Sequence, residues 1–255
     1  MKLDCQMNGV SLAALDDAIL VTDMEEEGAP QTLTVCDLPG REGSRFIRRR
    51  RTSLTVKVRL MIRERSIPRR RILLEKLARW CTDGYLTVSY RRGQRLGCVC
   101  VQGVEGVSVT GWAEEITLIF RAYGLPWWED AVPKTLTLAP GEEGRLHVGG
   151  TAENTWAEVE AACLTAVNTL TLACGDTAMT FTDLAMTPGE TLHITWDREG
   201  LQRIGIQGNN SRSALGCRTA DSADDLLLPI GKTVPLRVEA DGQVSVTFRA
   251  RGRYL

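Results

Sequence analysis

The stretch Thr52–Cys81, "TSLTVKVRLMIRERSIPRRRILLEKLARWC", carries two periodicities back to back. Leu54, Val56, Val58, Leu60 and Ile62 alternate with Thr55, Lys57, Arg59 and Met61. Successive strand side chains point to opposite faces, so this segment reads as a strand with one apolar and one partly polar face. Beyond Ser66 the period becomes helical. Leu73, Leu77, Trp80 and Cys81 recur at i, i+4, i+7 and i+8, and Arg69, Arg70, Arg71, Glu75, Lys76 and Arg79 fill the other positions. Ser66 is a candidate cap, Pro68 suits a first helical turn, and Asp83-Gly84 marks the end. The expectation is one amphipathic helix over about 68–82.

On the N-terminal side, "QTLTVCDLPGREGS" (Gln31–Ser44) reads as a strand running into a turn at Pro39, Gly40 and Gly43. On the C-terminal side, "YLTVSY" (Tyr85–Tyr90), "LGCVCVQ" (Leu96–Gln102), "VEGVSVT" (Val104–Thr110) and "EEITLIFRAY" (Glu114–Tyr123) read as further strands. Residues 1–130 therefore form an α+β domain, a mostly antiparallel β-sheet with one helix. "YGLPWWEDAVPK" (Tyr123–Lys134), with two prolines, breaks the pattern. In residues 131–255 short strand-like runs recur about every ten residues between Gly, Pro, Asn and Asp, the pattern of an all-β sandwich. "AEVEAACL" (Ala157–Leu164) has helical potential but reads better as a strand, with Val159 and Ala161 alternating against charged positions.

The chain of 255 residues is 43% hydrophobic and 25% charged, which suits a folded soluble protein with a core of its own. No apolar run approaches the roughly 18 residues of a membrane span, and the N-terminal segment has no export signal pattern. Eight cysteines without C-x-x-C spacing, and only two histidines, argue for free buried thiols and against disulfides or a metal site. No nucleophile–base, zinc or phosphate-loop motif is present, so no catalytic residue and no cofactor are assigned.

The formal charge of −1 conceals a strong polarity. Residues 1–40 hold one lysine against eight acids, or −7. Residues 41–95 hold sixteen arginines and two lysines against four acids, or +14, and residues 96–255 sum to −8. Blocks of opposite sign favour association between copies or with an acidic neighbour. Arg41, Arg45, Arg48, Arg49, Arg50, Arg51, Arg69, Arg70 and Arg71 are the candidate interface, facing acids such as Asp16, Asp17, Glu25, Glu26 and Glu27 of another copy. Trp127 and Trp128 are expected to pack between the domains, and Trp112, Trp156 and Trp196 to be core or half-buried.

The order of features resembles the distal tail (Dit) proteins of long, non-contractile-tailed phages, whose copies also occur in prophages. The features are an early Asn8-Gly9 in a short first strand, the turn "LPGREG" (Leu38–Gly43), the alternating strand Leu54–Ile62, the helix end "LARWC" (Leu77–Cys81), the exit "ITLIFRAYGLPWW" (Ile116–Trp128) and the terminal "VSVTFRARGRYL". The resemblance implies a split-barrel first domain and a galectin-like second one. It further implies a ring of about six copies in the virion tail tip, assembled in the host cytoplasm. Such a ring connects the tail tube protein to the tail-tip protein, carries receptor-binding or baseplate proteins, and brackets a channel through which DNA passes. It is a structural part and not an enzyme. Two other readings of the residues are a carbohydrate-binding accessory module using the sandwich and a basic nucleic-acid-binding protein.

Overall fold

In the computed structural model, which describes residues 3–37, 42, 44–104, 113–197, 200–208 and 211–255, the chain divides into two units. One is Met1–Trp128 with Leu255, the other Glu129–Tyr254.

The first unit is built around the alternating strand. Its strands are β1 (Cys5–Met7), β2 (Val10–Ser11), β3 (Ile19–Glu27), β4 (Gln31–Asp37), β5 (Ser44–Arg51), β6 (Leu54–Arg63), β7 (Gly84–Val88), β8 (Gln94–Gln102) and β9 (Ala113–Ala122), and α1 (Ile67–Trp80) joins β6 to β7. An antiparallel sheet runs in the order β2-β1-β7-β8-β9-β6-β3. With β3 on one side and β9 on the other, β6 buries Leu54, Val56, Val58, Leu60 and Ile62 to 1% exposure or less, as its alternation requires. Each such side chain contributes about 1.5–3 kcal/mol of burial. All but Val104 of the expected strand at Val104–Thr110, the turn residues Pro39, Gly40 and Gly43, and Trp112 fall outside the described residues.

Three local readings change. Asn8-Gly9 is the turn between β1 and β2, not part of a strand. Both residues have positive φ (52° and 83°) and Met7 pairs with Val10, the geometry of a two-residue hairpin turn that Asn-Gly favours. The Asn8 amide also holds the link from α1 to β7, donating to the Asp83 carbonyl at 3.2 Å and accepting from the Tyr85 N–H at 2.9 Å. A Cβ on Gly84 would collide with this amide. Ser66 occupies the cap position of α1, but its hydroxyl makes no capping bond; Pro68 has already removed one of the donors that need one.

The third change concerns the helix face. The buried stripe is Arg70, Leu73, Leu74, Leu77 and Trp80, with Cys81 half-buried at the C-cap. Arg70 lies three residues before Leu73 and so shares its face. Trp80 packs edge-on against Phe120 of β9, with ring centroids 5.9 Å apart, and donates its indole N–H to the Val10 carbonyl at 2.7 Å.

The second unit is all β. After β10 (Trp128–Asp130), which straddles the division, come β11 (Lys134–Leu138), β12 (Glu143–His147), β13 (Asn154–Trp156), β14 (Glu158–Cys163), β15 (Leu170–Cys174), β16 (Thr177–Phe181), β17 (Thr191–Trp196) and β18 (Gln202–Gln207). β19 (Arg212–Ser213), β20 (Leu227–Pro229), β21 (Thr233–Ala240), β22 (Val244–Ala250) and β23 (Arg253–Tyr254) complete it. Two antiparallel sheets, β11-β22-β14-β17-β18-β19 and β12-β21-β15-β16, share one apolar core in which Phe181, Phe248, Ile194 and Leu236 are fully buried. The expected strand at Ala157–Leu164 is present as β14, with Val159, Ala161 and Cys163 turned inward. Among the described residues no helix is long and apolar enough to cross a membrane. The cysteines are not joined in disulfides; Cys36 on β4 is exposed rather than buried, because β4 has no covering layer among the described residues.

Candidate interaction surface

Among the described residues, strands β4 and β5 pair only with each other, forming a long two-stranded hairpin. An isolated hairpin of this kind is marginal in water, and this one exposes large apolar side chains: Leu33 59%, Val35 55%, Phe46 57% and Ile47 56%.

The register sorts the hairpin into two faces. Val35 lies opposite Phe46 and shares its face with Leu33. Thr32, Thr34 and Cys36 lie opposite Arg50, Arg48 and Arg45 on the other face. A bulge makes this possible. Between the Thr34–Arg48 and Val35–Phe46 pairs β5 advances two residues while β4 advances one, so Ile47 is the extra residue. Without the bulge, Arg45 would fall on the face opposite Arg48 and Arg50. One face thus carries the exposed Leu33, Val35 and Phe46, and the other presents Arg45, Arg48 and Arg50.

The arginine run is therefore not one surface. Arg45, Arg48 and Arg50 are exposed and form no ion pair with a described residue. Arg51 is half-buried at the hairpin's base, where its guanidinium lies 5.0 Å from the Trp127 ring centroid and donates to the Ala29 carbonyl at 3.4 Å. Arg49 pairs with Leu33 along the backbone, and Arg41 lies outside the described residues. On α1, Arg69 is exposed and pairs with Glu64 at 3.1 Å and Asp16 at 3.8 Å, Arg71 is exposed, and Arg70 is buried.

Of the acids expected to wait for another copy, Asp16, Glu25, Glu26 and Glu27 already have partners in the same unit. Along the β3–β6 ladder, Asp23 pairs with Arg59 at 3.2 Å, Glu25 with Arg59 at 3.4 Å and Lys57 at 3.9 Å, and Glu27 with Lys57. The Glu27 carboxylate raises the Lys57 pKa above its ordinary value. Glu26 turns to the other side. It accepts from Arg91 Nη2 at 2.7 Å and from the Trp128 indole N–H at 2.9 Å, and the Arg91 guanidinium sits over the Trp128 ring. Burial, then Glu26, pushes the nearby Tyr90 phenol up to about 12. Trp128 is fully buried. The sequence showed the acids and bases but not which pairs meet across strands.

In the second unit the tryptophans offer no flat exposed platform. Trp156 and Trp196 stack at 5.4 Å with an interplanar angle of 6°, Arg253 covers Trp156 at 4.1 Å, and Trp196 donates to Asp225.

No family model and no curated protein matches the sequence. Solved structures do match. The Dit protein (gp 19.1) of phage SPP1, described as a paradigm of the hub adsorption apparatus in Gram-positive-infecting phages, aligns with a TM-score of 0.71 at 14% identity over 100% of both chains. The chain has the Dit fold. Structures of the phage P2 baseplate in its activated conformation align more loosely. The calcium form has a TM-score of 0.56 at 9% identity, covering 99% of this chain and 98% of the other. The strontium form gives the same score and identity over 98% of each. The Dit fold thus spans both units, although little of the sequence is shared.

Proposed function

We propose that the chain is a structural hub of a phage tail tip. About six copies form a ring through their first units, joining the tail tube above to the tail-tip protein below. The second unit acts as a galectin-like sandwich carrying receptor-binding or baseplate proteins. The role requires no catalysis and no cofactor, and its place is the tail of a siphophage or prophage virion, assembled in the host cytoplasm. The observation that carries this reading is the likeness to SPP1 Dit over the full length of both chains.

The hairpin β4–β5 supports the same reading. Its exposed apolar side chains Leu33, Val35 and Phe46, on one face, are the kind of surface that a stable monomer covers and an assembling subunit leaves open. Its opposite face offers Arg45, Arg48 and Arg50, whose planar forks suit carboxylates of a neighbouring ring or phosphates of DNA in the channel.

The test is the mass of the full-length protein by light scattering at low and high salt, with electron micrographs of the same fractions. A ring of about six copies is expected, weakened by salt. Substituting Arg45, Arg48 and Arg50 together by serine should shift it toward the monomer with the fold retained. An unchanged ring in that variant removes the arginine face from the interface. A wild-type chain that stays monomeric and fails to dock to purified tail tubes overturns the hub reading. The free arginines favour one other reading, DNA binding, whose mark would be affinity falling steeply with salt, by about one power per phosphate contact.

A further inference from the structure

Four thiols of the first unit come together from three places: Cys5 on β1, Cys81 at the end of α1, and Cys98 and Cys100 on β8. Cys5 and Cys98 are closed off from solvent at 0% and 3% exposure. Cys81 and Cys100 are half-buried free thiols.

Topology puts this second pair side by side. Gly84 of β7 lies opposite Cys98 of β8. α1 ends at Trp80 and the β7–β8 ladder begins at Gly84, so Cys81 lies in the short link between them, beside the part of β8 that follows Cys98. Gly103 marks the shared space: a Cβ there would lie 3.7 Å from Cys81 Cβ and 3.9 Å from Cys100 Sγ. The neighbouring Cys81 thiol holds the Cys100 thiol below its ordinary value, against burial, and Cys100, then burial, push the Cys81 thiol up; the Cys100 S–H donates to the Gln102 carbonyl at 3.4 Å. The lower member of such a pair is the attacking sulfur.

We propose that Cys81 and Cys100 form a reactive dithiol site that exchanges with low-molecular-weight disulfides to close a bond between the end of α1 and β8. The Cys100 thiolate attacks one sulfur of a disulfide such as oxidised glutathione. The S–S bond of the reagent breaks, and one glutathione thiolate leaves, taking up the proton that Cys100 lost. Cys81 then gives up its proton and attacks the Cys100 sulfur, and the second glutathione leaves as the thiol. Two protein thiols and one reagent disulfide become one protein disulfide and two reagent thiols. The oxidant is the small disulfide, which is reduced as the pair is oxidised.

The test uses the full-length reduced protein incubated with oxidised glutathione, alkylated and mapped by peptide mass. The expected product is lighter by two hydrogens and yields a linked Cys81–Cys100 peptide, while Cys5 and Cys98 alkylate only after denaturation. Cys81→Ser should leave a stable glutathione adduct on Cys100, and Cys100→Ser should abolish the link. Phenylarsine oxide, which bridges two adjacent thiols, should bind the native wild type once per chain and neither single variant. Cys81 and Cys100 that stay alkylatable or each retain glutathione would overturn the proposal. So would arsenical uptake that is absent in the wild type or unchanged in both variants.

Discussion

Arg70 shows how little a residue's type says about its face. It is 1% exposed within the apolar stripe of α1, and its Nε and Nη1 have no hydrogen-bond partner among the described residues. Leaving such donors unsatisfied costs about 1–3 kcal/mol. Arg70→Met keeps the long apolar stem and removes the donors, so urea unfolding should show a gain of about 1–3 kcal/mol; a clear loss would mean that the guanidinium has a partner in the assembled protein. Glu190, 2% exposed, is the opposite case. Arg212 Nη1 donates to one carboxylate oxygen at 2.7 Å and the Thr187 N–H to the other at 2.8 Å. The Arg212 bond first, then the Thr187 N–H, hold the carboxyl at about 2, against an ordinary value of 4.5. A folded-state value below the unfolded one gives stability that is complete above about 4.5 and is lost as pH falls toward about 2. Glu190→Gln should therefore flatten the acid limb of the stability–pH curve over that window, and an unchanged limb would show that the pair contributes nothing.

At the scale of elements, β4 and β6 carry the same alternation with opposite consequences. Leu60 of β6 is 1% exposed, and Leu60→Ala should cost about 2–5 kcal/mol in unfolding. Leu33 and Phe46 are more than half exposed, so Leu33→Ser with Phe46→Ser should change the chain's own stability by about 0.5 kcal/mol or less. The same double variant should weaken the ring in light scattering; rings as stable as the wild type's would show that the apolar face meets nothing. Periodicity could not separate the two strands. Alternation records that one face differs from the other, and the number of flanking strands decides whether anything covers it. β6 has β3 and β9, whereas β4 has only β5 among the described residues. The bulge at Ile47 was equally hidden, because it exists only relative to β4, and it alone sets Arg45 beside Arg48 and Arg50.

For the whole molecule, the second unit's core is drawn entirely from within it, from Leu138 to Ala250. Residues 129–255 expressed alone should unfold cooperatively in urea with an all-β circular dichroism spectrum, and a fragment without a cooperative transition would show that its core depends on the rest of the chain. The sequence by itself determined what rests on neighbours a few residues apart. That covers the strand Leu54–Ile62, the change to a helix after Ser66 and the run of short strands in the second half. Each follows from side-chain direction along one segment or from the φ values a residue tolerates. The tertiary structure decided what rests on residues far apart. It matched Asp23 and Glu25 with Arg59 and Lys57, gave Glu26 to Arg91 and Trp128, and placed Cys81 against Cys100. It also buried Arg70 and left Phe46 in water. A charge or an apolar group acts through whatever stands opposite it, and in a sheet protein that partner comes from a strand tens of residues away.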